Sequence, residues 1–128
     1  MFNSNKDVKI IVVDDEPEIL RTLQRALSRK GYGVVTFEDP FLALEHVRKE
    51  KVDLVLSDLK MPKMDGLQLL LQVKAARPGV PVIMLTGFAT IEYAVTAMQQ
   101  GAFDFLRKPF EIRNIYEVVQ SALDSRKR

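Results

Sequence analysis

The chain has 128 residues, of which 47% are hydrophobic and 28% charged, with no cysteine and a formal net charge of +2. These values are typical of one globular domain, and they exclude a disulfide scaffold and thiolate metal sites. No apolar run approaches the roughly 18 residues of a membrane span, and no signal peptide opens the chain. We therefore expect a cytoplasmic protein without a membrane partner.

The two ends of the chain are polar. We expect residues 1–7 to form a flexible arm and residues 8–125 to form the domain. Residues 126–128 are all basic, and we interpret them as a solvated tail or the start of a linker. A basic run this short does not indicate direct nucleic-acid binding.

Apolar runs and helical periodicity alternate five times between these ends. The apolar runs that predict strands cover residues 8–13, 33–37, 52–56, 80–85 and 102–107. Between them, Pro17, Asp39 and Thr90 indicate helix starts, while Gly31 and Gly101 follow helix ends. Strands that alternate with helices predict a parallel sheet covered by helices on both faces.

The third predicted helix carries more apolar residues than one buried line needs. The line predicted to face the core in the third helix is Leu67, Leu70 and Leu71. Leu69 and Val73 lie off that line and are interpreted as a partner surface or as isolated exposed side chains. The line predicted for the fourth helix is Ile91, Ala94, Val95 and Met98. His46 is predicted to be a surface residue.

Polar side chains stand where four of the predicted strands end. Asp14 and Asp15 follow the first strand, Asp58 the third, Thr86 the fourth and Lys108 the fifth. The carboxyl ends of parallel strands meet at one edge of the sheet, where ligands bind. Carboxylates this close together need neutralisation, and oxygen ligands without thiolate or imidazole favour Mg²⁺. The ammonium group suits a phosphoryl group or a carboxylate, and the hydroxyl could donate a further hydrogen bond.

These motifs resemble the receiver domain of two-component response regulators over about residues 9–123. The matching pieces are the acidic segment 12–17, the segment 58–66, Thr86-Gly87 and Lys108-Pro109-Phe110. The resemblance implies a flavodoxin-like fold with the sheet order 2-1-3-4-5. Residues 101–110 look most like the receivers that precede ATPase-type transcriptional activators.

The resemblance also implies an activity. Asp58 would accept a phosphoryl group from a phosphohistidine of a sensor histidine kinase or a phosphotransfer domain. The domain would catalyse only this transfer and its own dephosphorylation. Asp15 would bind Mg²⁺ directly, Asp14 largely through water, and Asp58 and the backbone carbonyl of Lys60 would complete the protein ligands.

The remaining implied roles concern the phosphoryl group and its effect. Lys108 would pair with Asp58 and then with the phosphoryl oxygens, while Thr86 would bond one of those oxygens. Movement of Thr86 would draw Phe105 inward, which would reshape the face formed by the fourth helix, the fifth strand and the fifth helix. That face would contact an effector domain or a second copy of the chain. The Lys108–Pro109 bond would be cis.

Two positions are expected to modulate hydrolysis of the phosphoryl group. In the family these lie two residues after the acceptor aspartate and two after the threonine, and here they are Lys60 and Phe88. Neither side chain can accept a proton from an attacking water molecule. We therefore predict a slow spontaneous loss of the phosphoryl group.

Two alternative functions are left open by the residues themselves. A phosphatase of the haloacid dehalogenase type would need a second aspartate two residues after the nucleophile, where this chain has Lys60. A receiver-like module that acts without phosphorylation would be favoured by a degraded acidic pair or a missing lysine, but this chain keeps Asp14, Asp15, Asp58 and Lys108. A third, local alternative is that Phe105 is only a core residue.

Overall fold

The computed structural model describes residue 5 and residues 7–87 and 91–126. Its strands are β1 (Lys9–Val13), β2 (Gly33–Phe37), β3 (Leu54–Asp58), β4 (Val82–Thr86) and β5 (Asp104–Arg107). Its helices are α1 (Pro17–Arg29), α2 (Pro40–Lys49), α3 (Gly66–Ala76), α4 (Ile91–Gln99) and α5 (Ile112–Ser125). The third, fourth and fifth strands begin two residues later than predicted. The Thr90 cap proposed for α4 lies outside the described residues.

All strand pairs are parallel and the order in the sheet is β2-β1-β3-β4-β5, which confirms the predicted fold and order. The side chains of β1 alternate between two buried layers, as expected of a strand covered on both faces. Ile10 and Val12 pack with α1 and α5, whereas Ile11 and Val13 pack with α2, α3 and α4. β3 and β4 are buried along their whole length. The carboxyl ends of three central strands are thereby held in a fixed arrangement.

The buried line of α3 differs from the prediction. Leu69 and Val73 are 1% and 0% exposed, whereas Leu71 is 49% exposed. Asp65 and Gln68 form a capping box at the start of α3, in which each side chain accepts a hydrogen bond from the backbone N–H of the other residue. This capping box fixes where the helix begins and therefore helps to decide which side chains face the core. Five apolar residues fall within residues 67–73, so periodicity alone could not choose between the two lines.

The predicted line of α4 is also wrong in part. Ala94 and Ala97 are fully buried, while Val95 and Met98 are 57% and 39% exposed. Small side chains let a helix approach the sheet closely, and Val95 and Met98 then face outward together with Tyr93. The result is a helix with little apolar burial among the side chains described and an exposed apolar outer face.

At the opposite end of the sheet from the predicted site, Arg126 is not the free tail residue we expected. Its Nη1 donates to Oδ1 of the buried Asp53 at 2.5 Å, and the backbone N–H of Lys9 donates to Oδ2 of the same carboxylate at 2.7 Å. This contact fastens the end of α5 to the amino ends of β1 and β3. His46 is half-buried, with its ring centroid 5.4 Å from that of Phe37, rather than a plain surface residue. No helix in the described ranges is long and apolar enough to cross a membrane.

Candidate functional site

The carboxyl edge of the sheet gathers the predicted residues. Asp14 directly follows β1, Asp58 and Thr86 are the last residues of β3 and β4, and Lys108 directly follows β5. Asp14 and Thr86 are 0% exposed and Asp58 is 6% exposed, so these three polar residues are buried at the carboxyl edge of the sheet. Asp15, by contrast, is exposed at the rim.

Lys108 is the cation of the site and contacts three carboxylates. Its Nζ lies 2.9 Å from Oδ2 of Asp14, 2.9 Å from Oε1 of Glu16 and 3.5 Å from Oδ2 of Asp58. Burial alone would lower the pKa of Lys108, but its contacts with Glu16, Asp14 and Asp58 outweigh burial and raise that pKa. The side chain is therefore a permanent ammonium group. It lies closer to the carboxylates of Asp14 and Glu16 than to that of Asp58.

Glu16 is a site residue that the sequence analysis did not identify. Besides its ion pair with Lys108, its backbone N–H donates to Oδ1 of Asp14 at 2.9 Å, which orients that carboxylate. The only hint in the sequence was its place as the third acid of a run. Glu16 is also the N-cap residue of α1, where its side chain makes no capping hydrogen bond.

Asp14 carries a buried oxygen that lacks a hydrogen bond. Its Oδ1 accepts from Glu16, but its Oδ2 has only the ammonium of Lys108 beside it, without hydrogen-bonding alignment. Burial raises the pKa of Asp14 above its usual value. A buried carboxylate oxygen with no hydrogen bond is costly unless a cation satisfies it.

Oxygen atoms of four acidic residues lie within 4.8 Å of one another, namely those of Asp14, Asp15, Glu16 and Asp58. A hard divalent cation is bound by such oxygen-only sets. The spacing and the incompletely satisfied oxygen of Asp14 both fit a cation at this edge.

Asp58 has the most perturbed carboxylate in the site. Burial, followed by the charge of Asp14, raises its pKa from 3.8 to about 6, against the opposing effect of Lys108. The backbone N–H of Lys60 donates weakly to its Oδ1 at 3.4 Å. Because Asp58 and its neighbours carry excess negative charge, a cation or a phosphoryl-bound metal would be attracted to this position.

The other predicted residues surround this centre. Thr86 donates from Oγ1 to the carbonyl of Gly87 at 3.1 Å, and its own carbonyl accepts from the N–H of Lys108 at 2.8 Å. Phe105 is half-buried and packs against the layer formed by α2, α3 and α4. The Lys108–Pro109 bond is cis, as expected. Phe88, the second position predicted to modulate hydrolysis, lies outside the described residues.

We expect the Asp58→Asn variant to be more stable than the parent chain at pH 7.5 without divalent cations, by about 1 to 2 kcal/mol. The folded-state pKa of Asp58 is raised from 3.8 to about 6. The parent therefore loses stability as the pH rises between about 4 and 6, when the buried group must ionise beside Asp14, Asp15 and Glu16. Urea unfolding at pH 4 and pH 7.5 measures this difference.

The matched control for that experiment is Glu117→Gln, which neutralises an exposed carboxylate on α5. It should change stability by no more than about 0.5 kcal/mol at either pH. An Asp58→Asn variant that is less stable than the parent at pH 7.5 would show that the ionised Asp58 carboxylate does not destabilise the folded domain.

A doubly wound sheet of this strand order, with an acidic cluster and a lysine at its carboxyl edge, defines the class of this protein as a flavodoxin-like α/β domain. The chain belongs to the response regulator receiver domain family, whose sequence model matches residues 10–120. It is a receiver domain of the two-component response regulators, and the resemblance found in the sequence is confirmed. The phosphatase alternative is thereby excluded.

Two curated relatives are transcriptional regulators of Escherichia coli. The chain is 44% identical over 121 residues to the transcriptional regulatory protein GlrR of Escherichia coli strain K12, a match that covers 94% of this chain and 27% of that protein. It is 45% identical over 112 residues to the DNA-binding transcriptional regulator NtrC of the same strain, which covers 88% and 24%. The chain thus spans about a quarter of the length of the curated relatives it matches.

Solved structures agree with the fold. A response regulator receiver domain protein from Clostridium thermocellum matches with a TM-score of 0.89 and 34% identity over 94% of this chain and 97% of the other. The receiver domain of NtrX from Brucella abortus matches with a TM-score of 0.86 and 37% identity, over 90% and 98%.

Proposed function

We propose that Asp58 is the phosphoacceptor of this receiver domain and takes its phosphoryl group from a phosphohistidine of a sensor histidine kinase or a phosphotransfer domain. The observation that carries the proposal is the position of the Asp58 carboxylate at the end of β3, with the Lys108 ammonium 3.5 Å away. The surrounding acids fit a divalent cation. Phosphoryl transfer needs mainly alignment and charge neutralisation, and this edge of the sheet offers both.

The transfer step follows from these groups. A carboxylate oxygen of Asp58 attacks phosphorus, the phosphorus–nitrogen bond to the histidine breaks, and its electron pair returns to the imidazole. The product is an acyl phosphate. Lys108 shifts from the carboxylate to the phosphoryl oxygens, and the Thr86 hydroxyl donates to one of them.

The cation that fits the acidic cluster is Mg²⁺, since the ligands are all oxygen. Asp14, Asp15, Asp58 and the backbone carbonyl of Lys60 would hold it. When bound, it would neutralise the carboxylates and the charge that spreads over the transferring group. Glu16, a member of the same acidic cluster, would help to hold the lysine there through its ion pair.

The consequence of phosphorylation would be a change in the face formed by α4, β5 and α5. If Thr86 moves toward the phosphoryl group, the space behind it must be refilled, and Phe105 is the half-buried neighbour on β5 able to turn inward. This face also carries exposed apolar side chains, namely Tyr93, Val95, Met98 and Ile112. An effector domain or a second copy of the chain would bind there.

The proposal is tested by incubating the chain with acetyl phosphate and Mg²⁺ and measuring its intact mass. We expect the parent chain to gain one phosphoryl group and Asp58→Asn to gain none. Asp39→Asn is the matched control, because asparagine still caps α2 and the residue lies away from the acidic cluster. Equal phosphorylation of Asp58→Asn would refute the assignment, and an unmodified parent chain would favour a module that acts without phosphorylation.

We expect the phosphorylated domain to lose its phosphoryl group slowly, and the double variant Lys60→Asn/Phe88→Glu to lose it faster. Lys60 is exposed and has only donors, so it cannot take a proton from an attacking water. The two substitutions supply polar groups able to orient that water. Autodephosphorylation of the purified domain measures the effect, and a double variant no faster than the parent would contradict this account.

A further inference from the structure

We propose that Tyr93 on α4 is a positioning residue of the phosphorylation site, which holds the Lys60 ammonium against α4 until a phosphoryl group on Asp58 draws it away. The inference rests on the proposed function of Asp58. Its basis is a direct contact, since the Nζ of Lys60 lies 4.5 Å from the centroid of the Tyr93 ring. A cation at this distance is attracted by the negative face of the ring.

One end of this contact is fixed beside the acceptor. Lys60 is two residues after Asp58, and its backbone N–H donates to Oδ1 of that carboxylate. The side chain itself is exposed and extends from the β3–α3 loop to α4. A change of charge on Asp58 therefore acts on a lysine whose backbone is already in place next to it.

The other end lies on α4, whose described side chains bury little apolar surface. The described buried apolar side chains of α4 are two alanines, whereas α5 buries Ile115, Val119, Ala122 and Leu123. Tyr93 is 41% exposed and contributes little to the core. Because the described side chains of α4 make few buried apolar contacts, we expect a single contact from the loop to have a measurable share in fixing its position.

Phosphorylation would set up a competition for Lys60. A phosphoryl group adds up to about two negative charges and three acceptor oxygens to Asp58. The attraction of an ammonium to a nearby dianion exceeds its attraction to an exposed aromatic ring. Lys60 would then leave Tyr93, and α4 would lose a restraint. The contact between Lys60 and Tyr93 therefore connects the site to the face formed by α4, β5 and α5 through the β3–α3 loop. This route does not involve Thr86 or Phe105.

By thermodynamic linkage, if a phosphoryl group weakens the contact between Lys60 and Tyr93, then loss of that contact must strengthen the binding of a phosphoryl mimic. This relation provides the test. We expect Tyr93→Leu to bind beryllofluoride, a phosphoryl mimic, about 2- to 5-fold more tightly than the parent in the presence of Mg²⁺. The gain should vanish when Tyr93→Leu is combined with Lys60→Gln. Tyr93→Phe keeps the ring and should restore the parent affinity, and Val95→Leu, at an exposed position of the same helix, is the matched control.

A second measurement needs no phosphoryl group. In the unliganded chain, Tyr93→Leu and Lys60→Gln should raise amide hydrogen exchange in residues 91–99 by similar factors, and the double variant should add nothing further. Unchanged exchange in both single variants, or a beryllofluoride gain that persists without the lysine, would overturn the proposal. A parent chain that is not modified at Asp58 would instead refute the proposed function, while the exchange data would still decide whether the contact restrains α4.

Discussion

Gly66→Ala is expected to destabilise the domain by about 2 to 4 kcal/mol and to abolish phosphorylation of Asp58. A Cβ atom at this position would lie 2.2 Å from the carbonyl oxygen of Asp58 and 2.7 Å from the Cα of Leu59. Both atoms belong to the backbone, so no side-chain rotation can relieve the overlap. The start of α3 must then move away from the end of β3, and the Asp58 carboxylate moves with the strand. Urea unfolding and acetyl phosphate labelling measure the two effects.

The matched control is Gly79→Ala. Apart from Gly79 and its two chain neighbours, no residue has an atom within 4 Å of a Cβ at this position, so the variant should change stability by no more than about 0.5 to 1 kcal/mol and leave phosphorylation intact. A Gly66→Ala variant as stable and as reactive as Gly79→Ala would show that the close approach of α3 to β3 is not required for the site.

Asp15→Asn is expected to weaken Mg²⁺ binding by at least about tenfold, or about 1.4 kcal/mol, and to suppress phosphorylation by acetyl phosphate. Asp15 is exposed and lies in the cluster of four acids, so its loss removes a charged ligand without opening the core. Magnesium titration by calorimetry and intact-mass labelling test the two parts of the prediction.

Glu18→Gln serves as the control for Asp15→Asn, since it removes one negative charge from the exposed first turn of α1 without touching the cluster. It should leave Mg²⁺ affinity within about twofold of the parent, because exposed charges are screened. Equal affinity in Asp15→Asn and the parent would remove Asp15 from the set of metal ligands.

The fold could be predicted because its local signals agree with each other. Apolar runs that end in acids, Pro40 after the Asp39 cap and glycines after helices all favour the same alternation of strands and helices. The phases of α3 and α4 could not be predicted, since Leu71 and Val95 are as apolar as the residues buried in their place. Which apolar side chain is buried depends on how each helix meets the sheet, and only the tertiary structure specifies that.

The site was predictable where topology alone determines it. Asp14, Asp58, Thr86 and Lys108 share an edge because parallel strands end there. The contacts of side chains that reach across loops were not predictable. Glu16 meets Lys108 across 92 residues of sequence, and Lys60 in the β3–α3 loop meets Tyr93 on α4. No spacing rule predicts such contacts, because they depend on loop conformation.

The most direct test of Asp58 as the phosphoacceptor is chemical mapping of the acyl phosphate. The chain is treated with acetyl phosphate and Mg²⁺, then with borohydride, which reduces an aspartyl phosphate to homoserine, and the peptides are sequenced by mass spectrometry. We expect homoserine at position 58 and unmodified aspartate at positions 14, 15 and 53. Homoserine at any of those three positions, with residue 58 left as aspartate, would contradict the account.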